Sequence, residues 1–260
     1  MITIDKDAKT SSAHGCAPSE RTIEELLEAG MIVIDKPQGP NSHQVSAWAR
    51  DILGLEKLGH GGTLDPFATG VLVLLSGRSM RLAKKVLSHD KTYVGVLRAP
   101  NKFDEQALER AIAQMCGQVY NVPPEISAVK IQVRSRKMQT TLLEVDGRDA
   151  AIQVTCEAGT YIRTLERDLG LLLGHPIELK ELRRTQSGRF TESHCVTLQE
   201  LKDAANASTI CSQQKDSCGT LAPNFVFTSA TASSSSKGFA QSSFSRLRPS
   251  ESLNCREHCT

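Results

Sequence analysis

This 260-residue sequence lacks a zinc-binding motif, a membrane-spanning segment and a strong net charge. Its eight cysteines include no C-x-x-C pair, which disfavours a zinc site. It has no signal-peptide pattern and no apolar run of about 18 residues, so we expect no membrane association. The formal net charge is only +2, so a nucleic-acid partner would have to be held by local basic stripes. These absences favour a reducing compartment with free thiols.

The composition divides the chain into three parts. Residues 1–20 mix serine, glycine, proline and charge without periodicity, and we predict that they are disordered. Residues 21–205 contain many strands and helices in no regular βαβ order, which predicts one mixed domain. Residues 206–260 contain a serine run and scattered cysteines, so we predict a disordered tail. A metal site formed by the four cysteines of that tail is a minor alternative, because their spacing is not that of a zinc motif.

Start and stop signals give a coarse map of the helices and strands. Thr22 and Glu25 form a capping box for a first helix, and Ser42 is expected to cap a second. Asp146-Gly147 is expected as the two-residue loop of a hairpin. The predicted apolar face of the second helix is Val45, Trp48, Ala49 and Ile52. Further helices are predicted near 79–88, 104–116, 161–173 and 198–204, and strands near 31–34, 71–75, 93–97, 142–145, 151–156 and 178–184.

The segment most typical of a functional site is a glycine-rich loop at residues 59–71, with the sequence GHGGTLDPFATGV. Three glycines within four positions permit backbone angles and close ligand approach that a side chain would forbid. Pro66 keeps Asp65 out of the helical region, which suits a rigid display of that carboxylate. An ordinary Asx turn before proline explains the same residues, so the loop alone leaves both interpretations open.

Four basic or aromatic patches accompany Asp65. One patch contains Arg163, which opposes the helix dipole at the predicted start of a helix. Arg163 is therefore expected to have a carboxylate partner. A carboxylate, aromatic faces and phosphate-binding cations together suit an enzyme that acts on an unstacked base. Each patch also has a plain structural explanation, such as a solvated lysine or a half-buried tyrosine. The patches are Asp35-Lys36-Pro37, Lys91-Thr92-Tyr93, Gly159-Thr160-Tyr161-Ile162-Arg163 and Glu181-Leu182-Arg183-Arg184.

In their order and spacing, these segments resemble the motifs of the TruB/dyskerin-type RNA pseudouridine synthases. The resemblance covers about residues 21–202 and implies an α+β catalytic domain with a mixed, mostly antiparallel sheet and flanking helices. Two segments, Pro123–Lys130 and Cys156–Thr160, resemble the archaeal and eukaryotic dyskerin branch. The segments that resemble family motifs are Lys36-Pro37 with Gly39, residues 59–72 around the catalytic aspartate, Lys91-x-Tyr93, Gly159–Arg163 and Leu182–Gly188.

The resemblance implies that uridine in RNA is isomerised to pseudouridine without a metal or a cofactor. Asp65 would be the catalytic nucleophile, attacking C1′ of the ribose or C6 of the base. Arg163 would pair with Asp65 and keep it ionised and oriented. Tyr93 would stack on the flipped uracil and take part in proton removal at C5. His60 would help to replace the extruded base. The remaining candidates, for structural support and substrate-RNA contact, are Lys36, Tyr161 and Arg183.

The implied substrate is tRNA, at the T-loop uridine, or rRNA within an H/ACA-type particle that includes a guide RNA and small protein subunits. The implied location is cytoplasmic in a prokaryote, and nuclear or nucleolar in a eukaryote. Residues 206–260 resemble neither a PUA domain nor a TruB-type RNA-binding extension. Two alternatives stay open: an RNA-binding protein whose chemistry has lapsed, and an assembly subunit of a guide particle.

Overall fold

The computed structural model describes residues 21–122 and 133–213, with side chains described as far as residue 207. The features expected at residues 1–20, 123–130 and 214–260 lie outside the described residues. Two 3₁₀-helices cover Gly77–Leu82 and Glu192–His194. The α-helices of the described parts are α1 Ile23–Glu28, α2 Ser42–Ile52, α3 Ala83–Leu87, α4 Glu105–Gln114, α5 Thr164–Leu173 and α6 Leu198–Gln213.

Nine strands of the described parts form one sheet. Its order is β1-β3-β8-β4-β7-β6-β5, with β2 also paired to β3 and β9 to β8. Every described pair is antiparallel except β3–β8, which confirms the predicted mixed, mostly antiparallel sheet. Within the described residues, β8 alone joins β3 to β4. The bounds are β1 Met31–Lys36, β2 Leu58–His60, β3 Thr69–Ser76, β4 Lys91–Arg98, β5 Gly117–Asn121, β6 Arg134–Asp146, β7 Asp149–Cys156, β8 Glu178–Ser187 and β9 Phe190–Thr191.

The alternation of side chains along the strands separates two faces of the sheet. On β1, Ile32 and Ile34 join the main core, whereas Met31 and Val33 join a smaller apolar cluster on the opposite face. Helices α2, α4 and α5 contribute their buried apolar residues to the main core. Strand β1 is therefore almost wholly buried, which explains why its sequence is continuously apolar rather than alternating.

The caps of the first two helices show one confirmed prediction and one error. The Thr22–Glu25 capping box is present at α1. The cap of α2 is Asn41 rather than Ser42, because the Asn41 side chain accepts the hydrogen bond from the Gln44 amide. Val45 and Ala49 are buried as predicted, but Trp48 is 47% exposed, so its inclusion in the apolar face was wrong.

Several predicted boundaries differ from the structure. Asp146 pairs with Asp149, so the two-residue hairpin loop is Gly147-Arg148 rather than Asp146-Gly147. The predicted helix near 79–88 begins as a 3₁₀-helix, and α5 begins at Thr164, after Tyr161 and Arg163. Helix α6 continues to Gln213, past the predicted end at residue 204. Among residues 21–122 and 133–213, no helix is long and apolar enough to span a membrane.

Candidate active site

The Asp65 loop, defined as residues 59–71, runs from β2 into β3 and requires glycine for steric reasons. A Cβ at Gly61 would lie 2.3 Å from Cγ1 of Val86. At Gly70, where φ is +98°, a Cβ would lie 2.3 Å from the carbonyl oxygen of Arg184. Both distances are far below a normal contact, so the loop packs against its neighbours more closely than any other residue would permit.

An ion pair at the turn of this loop is accessible to solvent. The Asp65 Oδ2 atom lies 3.0 Å from Nε of Arg163, and the two side chains are 34% and 35% exposed. The Ala68 amide donates a hydrogen bond of 3.1 Å to the Asp65 carbonyl, which closes a tight turn around the carboxylate. The carboxylate is thus oriented by a guanidinium yet reachable from outside, as a nucleophile must be.

Buried side chains from outside the loop bind its backbone carbonyls. The Lys36 ammonium, which is fully buried, donates to Pro66 O at 3.3 Å and Ala68 O at 2.7 Å. The buried Ser42 hydroxyl donates to Leu64 O and accepts from the Leu64 amide. Arg184, which is 2% exposed, donates to Gly62 O, Thr63 O and Val71 O. The loop conformation is therefore fixed by side chains of α2, β1 and β8.

A single cross-strand row explains why these groups meet. Lys36 pairs with Gly70, Gly70 with Arg184, and Arg184 with Tyr93. Directly paired residues present their side chains on the same face of a sheet. The row therefore places two cations and a tyrosine side by side at the base of the Asp65 loop. Sequence analysis named Lys36 and Tyr93 as site residues but missed Arg184. Arg184 follows the apolar Leu182 by two residues on β8, and this spacing indicates that both side chains lie on the same buried face.

A buried asparagine holds the segment that carries Arg163. The Asn121 side chain accepts a hydrogen bond from the Tyr161 amide and donates to Tyr161 O and to the Thr164 hydroxyl. These contacts fix the chain just before α5, where Arg163 occupies the cap position rather than the first turn predicted for it. The contacts of Tyr161 with Asn121 are thus made by its backbone and not by its side chain. Asn121 was missed because nothing in its local sequence indicates a long-range role.

Tyr93 and Lys91 lie buried on β4, with side chains on the face that carries the site. Burial raises the pKa of Tyr93, although the charge of Arg184 opposes that rise, so its hydroxyl stays neutral at physiological pH. Burial also lowers the pKa of Lys91 to about 8. The Lys91 ammonium donates to Leu87 O and His89 O, at 2.5 Å each. A neutral tyrosine hydroxyl acts as a hydrogen-bond donor or acceptor rather than as a charged base.

His60 stands at the start of the loop, with His43 against its edge. The two ring centroids are 4.7 Å apart at an interplanar angle of 73°. Burial, and then the charges of His43 and Arg184, lower the pKa of His60, so its ring is neutral at pH 7. In the described parts of the chain, no group of three His, Cys, Asp or Glu side chains is arranged to hold a metal ion.

Arg183 contacts the end of the Asp65 loop, where its Nη1 atom lies 3.5 Å from the Thr69 hydroxyl. Arg183 directly precedes Arg184 on β8, so the two side chains lie on opposite faces of the sheet. The Arg183 guanidinium donates to both carboxylate oxygens of Asp35 at 3.0 Å, and also pairs with Glu192. These ion pairs raise its pKa further above the ordinary value. The structure brings Asp65, Arg163, Lys36, His60 and Tyr93 to one region, but no described contact joins Arg183 to Asp65.

Three family models match this chain. The N-terminal domain of the TruB family pseudouridylate synthases matches residues 50–104, which include the Asp65 loop and Tyr93. The DKCLD domain matches residues 1–46, and the C-terminal domain of tRNA pseudouridylate synthase B matches residues 163–221. The third match extends beyond residue 206, where the sequence analysis found no resemblance.

Curated relatives from archaea are similar over most of the chain. A probable tRNA pseudouridine synthase B of Methanothermobacter thermautotrophicus is 45% identical over 200 residues, which is 76% of this chain and 62% of the relative. The protein with that name in Methanopyrus kandleri is 45% identical over 205 residues, covering 78% of this chain and 60% of the relative. The chain thus spans about three fifths of the length of these relatives.

Solved structures give the same result in three dimensions. The archaeal box H/ACA sRNP Nop10–Cbf5 complex matches with a TM-score of 0.70 and 39% identity, covering 79% of this chain and 63% of the matched one. An H/ACA RNP bound to a substrate RNA containing 2′-deoxyuridine matches with a TM-score of 0.71 and 35% identity, covering 82% and 64%. The sheet and flanking helices described above are therefore those of the matched chains.

Proposed function

The chain belongs to the TruB/dyskerin-type family of pseudouridine synthases, and we propose that it isomerises uridine in RNA to pseudouridine with Asp65 as the nucleophile. One observation carries the proposal. The Asp65 carboxylate is paired with Arg163 at 3.0 Å, accessible, and held on a loop whose carbonyls are bound by buried side chains. An oriented and accessible carboxylate of this kind is equipped for covalent catalysis.

The proposed chemistry exchanges one bond between base and sugar for another. In one route, an Asp65 oxygen bonds to C1′ while the C1′–N1 bond breaks, and uracil leaves with the electron pair. The uracil turns, its C5 bonds to C1′ and the carboxylate is released. The C5 proton is lost and N1 gains one, so atoms and charge balance. In the other route, an Asp65 oxygen adds to C6 while the C5=C6 π pair moves toward C5 and O4, and C1′ then passes from N1 to C5. Loss of the C5 proton expels the carboxylate, and N1 gains a proton.

The neighbouring residues take roles that their environments support. Arg163 orients the carboxylate through their ion pair. The buried, neutral Tyr93 offers a ring face for the base rather than a basic oxygen. His60, with its neutral ring, is assigned to the place vacated by the flipped base. Tyr161 and Arg183 are assigned to RNA contacts, and Lys36 to structural support of the loop.

Two RNA classes are proposed as substrates. Curated relatives named as probable tRNA pseudouridine synthases support tRNA, at the T-loop uridine. The DKCLD match and the likeness to Cbf5 in H/ACA complexes support rRNA modification with a guide RNA and small partner proteins. Because single-stranded loops are the usual targets of sequence-specific RNA recognition, both classes suit a site that takes one unstacked base.

The test is direct detection of pseudouridine in RNA incubated with the purified chain. One arm uses a tRNA transcript alone, and another uses rRNA fragments with a guide RNA and Nop10- and Gar1-type proteins. Carbodiimide labelling followed by sequencing locates each new pseudouridine. Formation in the first arm supports stand-alone action, and formation only in the second supports a particle subunit. Absence of pseudouridine in both arms would refute the proposed activity and favour an RNA-binding role.

A further inference from the structure

Arg184 binds the Asp65 loop on both sides of the aspartate. Its Nη1 and Nη2 atoms donate to Thr63 O at 3.4 Å and Gly62 O at 3.2 Å, just before Asp65. Its Nε atom donates to Val71 O at 2.7 Å, just after the turn. One rigid guanidinium thus joins the two limbs of the loop, and its planar fork fixes their separation.

The burial of Arg184 indicates a role beyond ordinary sheet stability. A fully buried arginine usually has a carboxylate partner, because an uncompensated charge is costly to desolvate. Three Arg184 hydrogen bonds instead go to backbone carbonyls of the loop region, and its side chain also interacts with that of Tyr93. The preceding residue, Arg183, has the carboxylate partners that are expected of a structural arginine.

Two other side chains complete the support that Arg184 begins. Ser42 binds the Leu64 amide and carbonyl, and Lys36 binds the carbonyls of Pro66 and Ala68. The backbone on each side of Asp65 is therefore held from β1, α2 and β8. Arg184 also faces Tyr93 in the β4–β8 register, so the same side chain relates the loop to the proposed stacking ring.

We propose that Arg184 is a positioning residue that fixes the Asp65 loop in its reactive geometry before RNA binds. Its predicted effect on turnover rests on the proposed function, whereas its effect on the loop does not. Preorganisation of this kind lowers the barrier because the reacting group needs no rearrangement at the moment of reaction. A lysine at this position keeps the charge but loses the fork, and so is unable to hold both limbs.

The test compares Arg184→Lys and Arg184→Met with a matched control, Arg98→Met. Arg98 also lies on the sheet and donates a guanidinium fork, but to Asp149 at the far end of β4. Amide exchange is followed at Leu64, whose amide donates to the Ser42 hydroxyl of α2, and at Ala68, whose amide donates to the Asp65 carbonyl within the loop. Global unfolding and single-turnover pseudouridine formation are measured on the same proteins.

We expect both Arg184 variants to speed exchange at Leu64 and Ala68 by about tenfold or more, while amides of β6 and β7 stay protected. Turnover should fall by about 100-fold with little change in RNA affinity, because a displacement of about 1 Å in a reacting group costs rate on that scale. The control should change neither quantity. A wild-type chain that makes no pseudouridine would refute the function, yet the exchange result would still decide the positioning role.

Three results would overturn the proposal. The first is unchanged exchange at Leu64 and Ala68 in Arg184→Lys. The second is a loss of protection spread evenly over the sheet in that variant, which indicates a purely structural role. The third needs no folded variant: if the wild-type Leu64 and Ala68 amides already exchange as in an unfolded peptide, the loop is not held at all.

Discussion

The two halves of the sheet are held together in different ways. In the loop half, which comprises β1, β2 and β3, buried polar side chains bind the backbone carbonyls of the Asp65 loop. In the hairpin half, which comprises β4, β5, β6 and β7, the strands are held mainly by backbone pairing with their neighbours. Side-chain ion pairs there, such as Arg98–Asp149, are partly exposed. The described β6 residues alternate between buried and exposed in a manner typical of an antiparallel strand with one wet face.

The comparison shows that the Asp65 loop is supported in a different way from a hairpin. The hairpin satisfies its backbone by pairing strand with strand, so each contact is local and replaceable. The Asp65 loop has few ladder bonds, and its carbonyls are bound by side chains that come from distant elements. We therefore expect substitutions in the loop half to have large and specific effects, and equivalent substitutions in the β6–β7 hairpin to be mild.

The largest expected effect comes from the acid-to-amide change Asp65→Asn. Turnover should fall by about 10⁴-fold or more, because the amide is unable to form the covalent bond that the proposed mechanism requires. Thermal unfolding should change little, since Asp65 is only partly buried. Asp146→Asn, at the exposed turn of the hairpin half, is the matched control and should retain full turnover. Equal turnover in the two variants would remove the basis of the proposed mechanism.

The second effect is a loss of stability in Gly70→Ala, to be compared with Gly147→Ala in the hairpin loop. Gly70→Ala places a Cβ 2.3 Å from the Arg184 carbonyl oxygen at a φ of +98°. We expect a loss of roughly 3–5 kcal/mol in the free energy of unfolding, because both the clash and the backbone strain must be relieved. Urea unfolding measures this loss. A loss below about 1 kcal/mol would mean that the β3–β8 junction adapts more easily than its geometry indicates.

The third effect is a pH dependence that comes from Lys91. Its pKa is about 8 in the folded chain, against an ordinary value of 10.5. Between these values the unfolded chain binds more protons, so the stability contributed by this group rises with pH over that window. Relative to Lys91→Met, the wild type should gain roughly 3 kcal/mol between pH 8 and 10.5. Parallel stability curves, measured by urea unfolding across that range, would contradict this prediction.

The smallest effect is expected from Gly147→Ala in the hairpin loop. Gly147 has a φ of +59°, like Gly70 in sign, but nothing lies within 4 Å of the added Cβ. Only the left-handed strain remains, so the loss should be about 1 kcal/mol. Urea unfolding of this variant beside Gly70→Ala separates strain from clash. Similar losses in the two variants would erase the contrast between the halves of the sheet.

Local patterns predicted the helices and six of the nine described strands, because apolar periodicity and caps are encoded in neighbouring residues, but they missed the short strands β2, β5 and β9. The error at Ser42 shows the limit of such rules. Ser42 has the chemistry of a cap, but its hydroxyl binds Leu64 across the fold, and the adjacent Asn41 caps the helix. Trp48 fits the helical period of an apolar face, yet the packing of the described residues leaves it 47% exposed. Tertiary contacts decided both cases.

The candidate site divides along the same line. Asp65 and Arg163 were found because a glycine-rich turn and a cation at a helix start stand out locally, and the ion pair expected of Arg163 is present. Arg184 and Asn121 were missed, because their importance arises only when β8 pairs with β3 and β4, and when Asn121 meets the chain before α5. The adjacent arginines of β8 look alike in sequence, and only the strand alternation assigns them to opposite faces.

The position of β8 has a consequence for synthesis of the chain. β8 is made after β1–β7, yet it lies between β3 and β4 and supplies the link that the described structure shows between them. A nascent polypeptide on the ribosome is therefore expected to hold two unjoined partial sheets until this late segment emerges and inserts. Because Arg184 arrives with that segment, its proposed positioning role implies that Asp65 becomes aligned only at the end of the folding reaction, and that an incomplete chain would not act on the RNA around it.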